Sequence, residues 1–364
     1  MVAEKLFRYG KDTMDRVKKS KLYQPSGYPD IEYLLSKGLP FMWLIGGRGI
    51  GKTYTILETI VLKHHTKFIL LRRKASEVKK LSTDAFNVFK KLNTDKGIDI
   101  RPYPNGDDCY SFYYADEDGK AWGECLGHMM SLSTFANFRG GDMTDIDFII
   151  QDEAIPQTLK GQSMNGEAFT FFNAYETINR NRELEGRPAL RVISICNSTI
   201  LNNDYFLTLN MISPIMEMYR NKKELKIDRE HERLIALYLN SPISERKKKT
   251  ALYKYTKDTA FANQAIDNLF EDMDSFLDVS RPLAEYIPVV TIGEITIYRH
   301  KSRQKPYYLS THKSGAPKEF KLNEYDILVF RNKYRSIVNA VYFGEAEAEK
   351  GYLLKLLLKY IKMY

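Results

Sequence analysis

Cysteine is scarce in this chain. Three occur in 364 residues, Cys109, Cys125 and Cys196, and none belongs to a CxxC pair. An odd, scattered set argues against a disulfide framework and a zinc ribbon, and points to a reducing compartment. Long apolar runs are lacking too. No window approaches the ~18 consecutive apolar residues of a membrane span, so no membrane partner is expected. The opening segment "MVAEKLFRYGKDTMDRVKKS" has no apolar centre of the secretory kind. Internal repeats and low-complexity tracts are also missing. These absences leave a soluble, cytoplasmic, ordinary globular protein as the expectation, one long enough for two domains.

What is abundant is positive charge. The formal net charge is +9, with 55 Lys and Arg against 46 Asp and Glu. Part of the excess is concentrated: from Arg299 to Arg335, ten Lys/Arg against three Asp/Glu leave +7. A second cluster is "ERKKK", Glu245 to Lys249. Both suit a polyanionic partner such as nucleic acid, and both also suit solvated loops.

The most specific stretch is "FMWLIGGRGIGKTYTI", Phe41 to Ile56. An apolar strand runs into Gly46, Gly47, Arg48, Gly49, Ile50, Gly51, Lys52 and Thr53, a full match to G-x-x-x-x-G-K-[ST], followed by Tyr54 and helix-forming residues. Glycines let backbone N–H groups curl around phosphate, and the helix start adds partial positive charge. Lys52 would reach the β- and γ-phosphates, and the Thr53 hydroxyl would ligate Mg²⁺. "KFILLRR" reads as a second strand, so the strand–loop–helix–strand order implies a parallel sheet with right-handed crossovers.

Such a loop needs a carboxylate at the end of a neighbouring strand. "DFIIQDE" offers Asp152 for the metal and Glu153 to polarise an attacking water. Gln151 stands where a fourth apolar residue is usual. The next strand, "LRVISICN", ends at Asn197 and Ser198, candidate sensors of the γ-phosphate. "INRNRELEGR" puts Arg180 and Arg182 on an exposed helix end, from which a guanidinium could reach a neighbouring subunit's site. Arg72 and Arg73 close the second strand near the ligand-binding edge and are candidates for contact with nucleotide or DNA.

Elsewhere, residues 1–38 read as a helical lead-in, "SEVKKLSTDAFNVFKKL" as one amphipathic helix, and 101–115 and 120–133 as strands. Residues 226–240 look helical. "YIPVVTIGEITIYRH", "KPYYLSTH" and "YDILVFRN" look β-rich, and "AEKGYLLKLLLKYIKMY" is an apolar helix expected to pack on its own domain. The resulting division is a lead-in (1–38), a P-loop α/β domain (39–225), a basic helical linker (226–280) and a small mixed α/β C-terminal domain (281–364).

"IGGRGIGKTY", "FILLRR", "FIIQDEA", "NRNRE" and "ISICNS", in this order, resemble the DNA-packaging ATPases of small podophages, the phi-29-like group. The resemblance implies a P-loop fold of the additional-strand, catalytic-glutamate type, a linker, and a C-terminal domain like an RNase H-like nuclease that has lost its site. It implies that Lys52 and Thr53 bind ATP·Mg²⁺, that Asp152 is the Walker B acid and Glu153 the catalytic glutamate. Arg180 becomes the trans-acting finger, with Arg182 the close second, and Asn197 the coupling residue. The implied partners are double-stranded DNA, the portal protein of a procapsid, in some relatives a packaging RNA, and copies of the chain in a five-fold ring. The implied location is the host cytoplasm, at the portal vertex. The alternatives are a large terminase with a working metal-dependent nuclease, for which Glu285, Glu294 and Asp326 are too scattered, and another P-loop translocase or helicase.

Overall fold

Strand β1 (Phe41–Gly46) buries five of its six residues, the pattern of a strand covered on both faces. It belongs to a nine-stranded sheet with β2 (Phe68–Arg72), β3 (Ile100–Pro104), β4 (Cys109–Ala115), β5 (Ala121–Ser131), β6 (Phe148–Gln151), β7 (Arg191–Cys196), β8 (Leu225–Asp228) and β9 (Arg233–Tyr238). The strand order is β3-β4-β5-β2-β6-β7-β1-β9-β8. From β5 to β9 every neighbouring pair is parallel, and an antiparallel neighbour closes each edge. One strand, β7, therefore stands between β1 and β6. The chain is a computed structural model that describes residues 21–106, 108–137, 143–155, 166–197, 201, 203–257, 259, 278–313 and 315–363.

The chain separates into two compact units. The first draws on Met1–Gly161, Gly166–Thr199 and Met218–Leu269, and contains the nine-stranded sheet. The second draws on Gln162–Asn165, Ile200–Glu217 and Phe270–Tyr364. Its five-stranded sheet has the order β13-β10-β11-β12-β14, from β10 (Ile287–Ile292), β11 (Ile295–Arg299), β12 (Tyr307–Ser310), β13 (Glu319–Phe320) and β14 (Ala346–Ala348). Helices Glu324–Lys333, Arg335–Tyr342 and Tyr352–Ile361 belong to the same unit. The last buries Leu353, Leu356, Leu357 and Tyr360, so its leucines pack within the unit.

Three segments depart from the sequence expectation. Residues 226–240 form no helix and no part of a linker, because β8 and β9 turn at Arg229–Glu232 and β9 lies against β1. The run Leu234–Tyr238 is buried throughout, which suits a central strand and not one helical face. "YDILVFRN" is a helix: Asn323 accepts the Asp326 N–H at its start, acids fill the first turn and Arg331 and Lys333 the last. The single amphipathic helix breaks in two, Ala75–Leu81 and Lys90–Lys96. Within the break, Asn87 takes the Phe89 N–H at 3.0 Å and donates to the Ile100 carbonyl at 2.7 Å, so its side chain competes with helical bonding there. Of the lead-in, residues 1–20 lie outside the described residues, and Ile31–Leu35 is a short helix capped by Asp30. No helix among the described residues is long and apolar enough to cross a membrane.

Packing at the β2–β5 seam is tight. A Cβ on Gly127 would lie 2.4 Å from the Phe68 carbonyl oxygen, a backbone atom with nowhere to go. Gly97, at φ 65°, has open space around the same position. Gly127→Ala is therefore expected to cost about 2–3 kcal/mol by overpacking, and Gly97→Ala about 1 kcal/mol for the backbone alone. Urea midpoints of the two variants check the order; equal midpoints would contradict the seam.

Candidate functional site

The phosphate-type loop leaves β1 at Gly46 and enters the helix Lys52–Leu57 through Gly51, at φ 88°. Gly49 also lies at positive φ, 65°. The loop is braced from inside by Ile50, whose fully buried side chain belongs to the core, so its share in any ligand contact comes from its backbone. Gly46 is pressed against β9, where a Cβ would meet that of Tyr238 at 2.8 Å. Gly51 lies under the Tyr28 ring, 2.2 Å from where its Cβ would be, and Tyr28 in turn stacks on Tyr54 with centroids 6.3 Å apart. Only glycine fits these positions.

Two strand ends meet the loop. At the end of β6 the backbone changes partner: the Asp152 N–H donates to the Leu71 carbonyl of β2 at 3.0 Å, and the Ala154 N–H to the Ile195 carbonyl of β7 at 3.0 Å. The residue between them, Glu153, takes φ 56°, a conformation that non-glycine residues adopt at a cost of order 1–3 kcal/mol and that clusters at functional sites. This kink brings both acids to the cavity. Thr53 donates its hydroxyl to Asp152 Oδ1 at 3.2 Å. Lys52 donates to the carbonyls of Gly46 (2.8 Å) and Gly47 (2.9 Å) and lies 3.5 Å from Asn197 Oδ1, just past β7. Arg48, Gly49, Gly51, Lys52, Thr53, Tyr54, Asp152, Glu153 and Asn197 line one cavity of about 370 Å³. Ser198 lies outside the described residues.

The arginines closing β2 face inward. Arg72 binds Asp152 Oδ2 at 2.6 Å and Glu153 Oε2 at 2.9 Å, with Glu77 at 3.4 Å from its Nε. Burial opposes its charge, yet Asp152, Glu153 and Glu77 outweigh burial and hold its pKa above the ordinary guanidinium value. Arg73 is paired to Glu167 at 2.6 Å, both buried. These two candidates for contact with nucleotide or DNA are thus held in internal ion pairs, Arg72 on the two acids of the cavity and Arg73 on Glu167. Arg182 is also corrected. It is 3% exposed, not on an open helix end, and holds the Ile146 carbonyl and, at 2.9 Å, Asp147, so it ties its turn to the base of β6. Arg180 caps the helix Glu167–Asn179 at φ 40° on the exposed surface, its Nε donating to the Thr177 carbonyl at 3.0 Å. Gln151, the misfit in its strand, accepts the Ser194 hydroxyl at 2.9 Å across the register pair with β7. Strand alternation next to a serine could have signalled that pairing; nothing local marked Tyr28 or Lys247, which touch the loop from distant parts of the chain.

The donor set fits a magnesium triphosphate. Thr53 and Asp152 supply hard oxygen donors side by side, the loop supplies N–H groups, and Lys52 brings a cation whose nearest partners are carbonyl dipoles.

A family model described as podovirus DNA encapsidation protein (Gp16) matches residues 18–334. The chain belongs to this family. A structure of the bacteriophage Phi-29 viral genome packaging motor assembly matches the chain at TM-score 0.60 and 18% identity, covering 92% of this chain and 99% of the other. The Phi-28 gp11 DNA packaging motor matches at TM-score 0.54 and 16% identity, over 91% and 96%. At these identities the likeness speaks for the fold. The search of curated proteins gives no match.

Burial pulls the Lys52 pKa down to about 8 in the free protein. Bound phosphate favours the ammonium, so binding must take up a proton wherever the free lysine is neutral. Nucleotide affinity is expected to be flat below pH 8 and to fall by up to about tenfold per pH unit above it. Titration with a fluorescent ADP analogue from pH 7 to 9.5 checks this, and an unchanged affinity at pH 9.5 would contradict it.

Proposed function

We propose that this protein hydrolyses ATP at the cavity between Lys52 and Glu153, and uses the cycle to drive double-stranded DNA through the portal of a procapsid. The single observation that carries the reading is the 3.2 Å contact of Thr53 with Asp152, which joins the glycine loop to the acid-bearing strand across the intervening β7. When bound, Mg²⁺ would neutralise charge on the β- and γ-phosphates, held by Thr53 and, through water, Asp152.

The protein's own groups do the rest. Loop N–H groups and Lys52 bind and orient the phosphates, exchanging the Gly46 and Gly47 carbonyls for phosphate oxygens. Glu153 polarises the attacking water and accepts its proton at a carboxylate oxygen. Arg72 holds Glu153 Oε2 in the free site, so Glu153 acts once that contact opens. Asn197, beside Lys52 at the end of β7, would sense the γ-phosphate. Arg180, exposed on its turn, would complete the site of the next subunit in a ring and stabilise charge there. The concentrated charge between Arg299 and Arg335 suits a backbone-reading, sequence-indifferent polyanion contact, whose affinity would drop steeply with salt. Portal protein and, in a system that uses one, a packaging RNA are the further partners of this reading, and the portal vertex in the host cytoplasm is its place.

Two outcomes are expected. Glu153→Gln keeps ATP affinity within about threefold, while turnover falls by about 10²-fold or more; retained turnover removes Glu153 from the chemistry. Arg180→Ala loses about 10³-fold in turnover, and mixing it with Glu153→Gln restores part of the rate, because each subunit supplies what its neighbour lacks. A mixture no faster than its parts would argue against action in trans.

A further inference from the structure

The basic run after β9 has no role in the chemistry above, yet it reaches the glycine loop. The helix Pro242–Lys247 is anchored at both ends: Pro242 packs against Gly27, 3.0 Å from a Cβ there, and Arg246 donates to the Ser26 carbonyl at 2.7 Å. One residue on, Lys247 Nζ donates to the Arg48 carbonyl at 2.5 Å. It sits so near Gly49 that a Cβ on that glycine would fall 2.4 Å from the ammonium.

The peptide joining Arg48 to Gly49 is trans, so its C=O and N–H point to opposite sides. With the carbonyl held from outside the loop, the Gly49 N–H is turned the other way, and Gly49 lines the cavity. A cation on the carbonyl also polarises the peptide and makes that N–H a better donor. From this geometry we propose that Lys247 is a positioning residue for the nucleotide, fixing the Arg48–Gly49 peptide with its N–H toward the phosphates. The inference rests on the cavity being an ATP site. It ties the cradle to the segment that follows β9, so that loop and helix move together.

The test uses the full chain with Lys247→Ala, Lys247→Arg and, as a control on the helix anchor, Arg246→Ala. Calorimetric titration with ATP and with ADP is read beside steady-state turnover and the melting temperature. Lys247→Ala is expected to raise Kd for both nucleotides and KM for ATP by about tenfold, one charge-assisted hydrogen bond to a well-placed donor. Its kcat should stay within about twofold, and Lys247→Arg, which keeps a cation in reach of the carbonyl, should recover most of the affinity. Arg246→Ala, which keeps Lys247, should weaken binding less than Lys247→Ala. A folded Lys247→Ala protein with wild-type Kd overturns the inference and leaves the ATP site intact. A loss in Lys247→Ala that Lys247→Arg does not recover also overturns it. Wild-type protein that binds neither nucleotide overturns the ATP reading itself.

Discussion

At the end of β6 the main chain trades one neighbouring strand for another within three residues, and the site is built around that trade. Asp152 still bonds to β2, Ala154 already bonds to β7, and Glu153 between them is left with a backbone angle that leucine or valine would not hold. Without the exchange the strand would run on and its side chains would alternate between the two faces of the sheet. With it, both carboxylates come to the sheet edge where the glycine loop emerges. The interposed β7 adds Asn197 to the same edge and fixes the spacing between loop and acids.

Charge at this edge is arranged so that no ion is left bare. The two acids share the Arg72 guanidinium, and Glu77 stands behind it. Lys52 rests on carbonyl dipoles, a weaker accommodation, and its lowered pKa registers the cost of burial. The free site is thus unevenly satisfied: its anions have a full cationic partner, its cation does not.

The glycine loop, the two acids and the apolar central strands were readable because each is local: fixed spacing, or a short run closed by turn residues. The second helix pattern failed at Asn87, whose side chain makes bonds to Phe89 and Ile100 that a periodicity count does not see. Leu234 to Tyr238 looked helical because a buried apolar run carries no period, and only its seat beside β1 decides it. Arg182 and Arg73 looked like surface groups because arginine usually is one; their burial depends on Asp147 and Glu167, far away in sequence. Tyr28 and Lys247 were invisible for the same reason. Contacts made across the fold leave no signature in a neighbourhood of the chain.

The buried Arg182 gives β6 a second duty. It fastens the turn that carries Arg180 to Ile146 and Asp147, at the foot of the strand whose head bears Asp152 and Glu153. Four extended residues span only ~13 Å and stretch little. Through Arg182 the exposed turn and the acid-bearing end are therefore tied to opposite ends of one short strand.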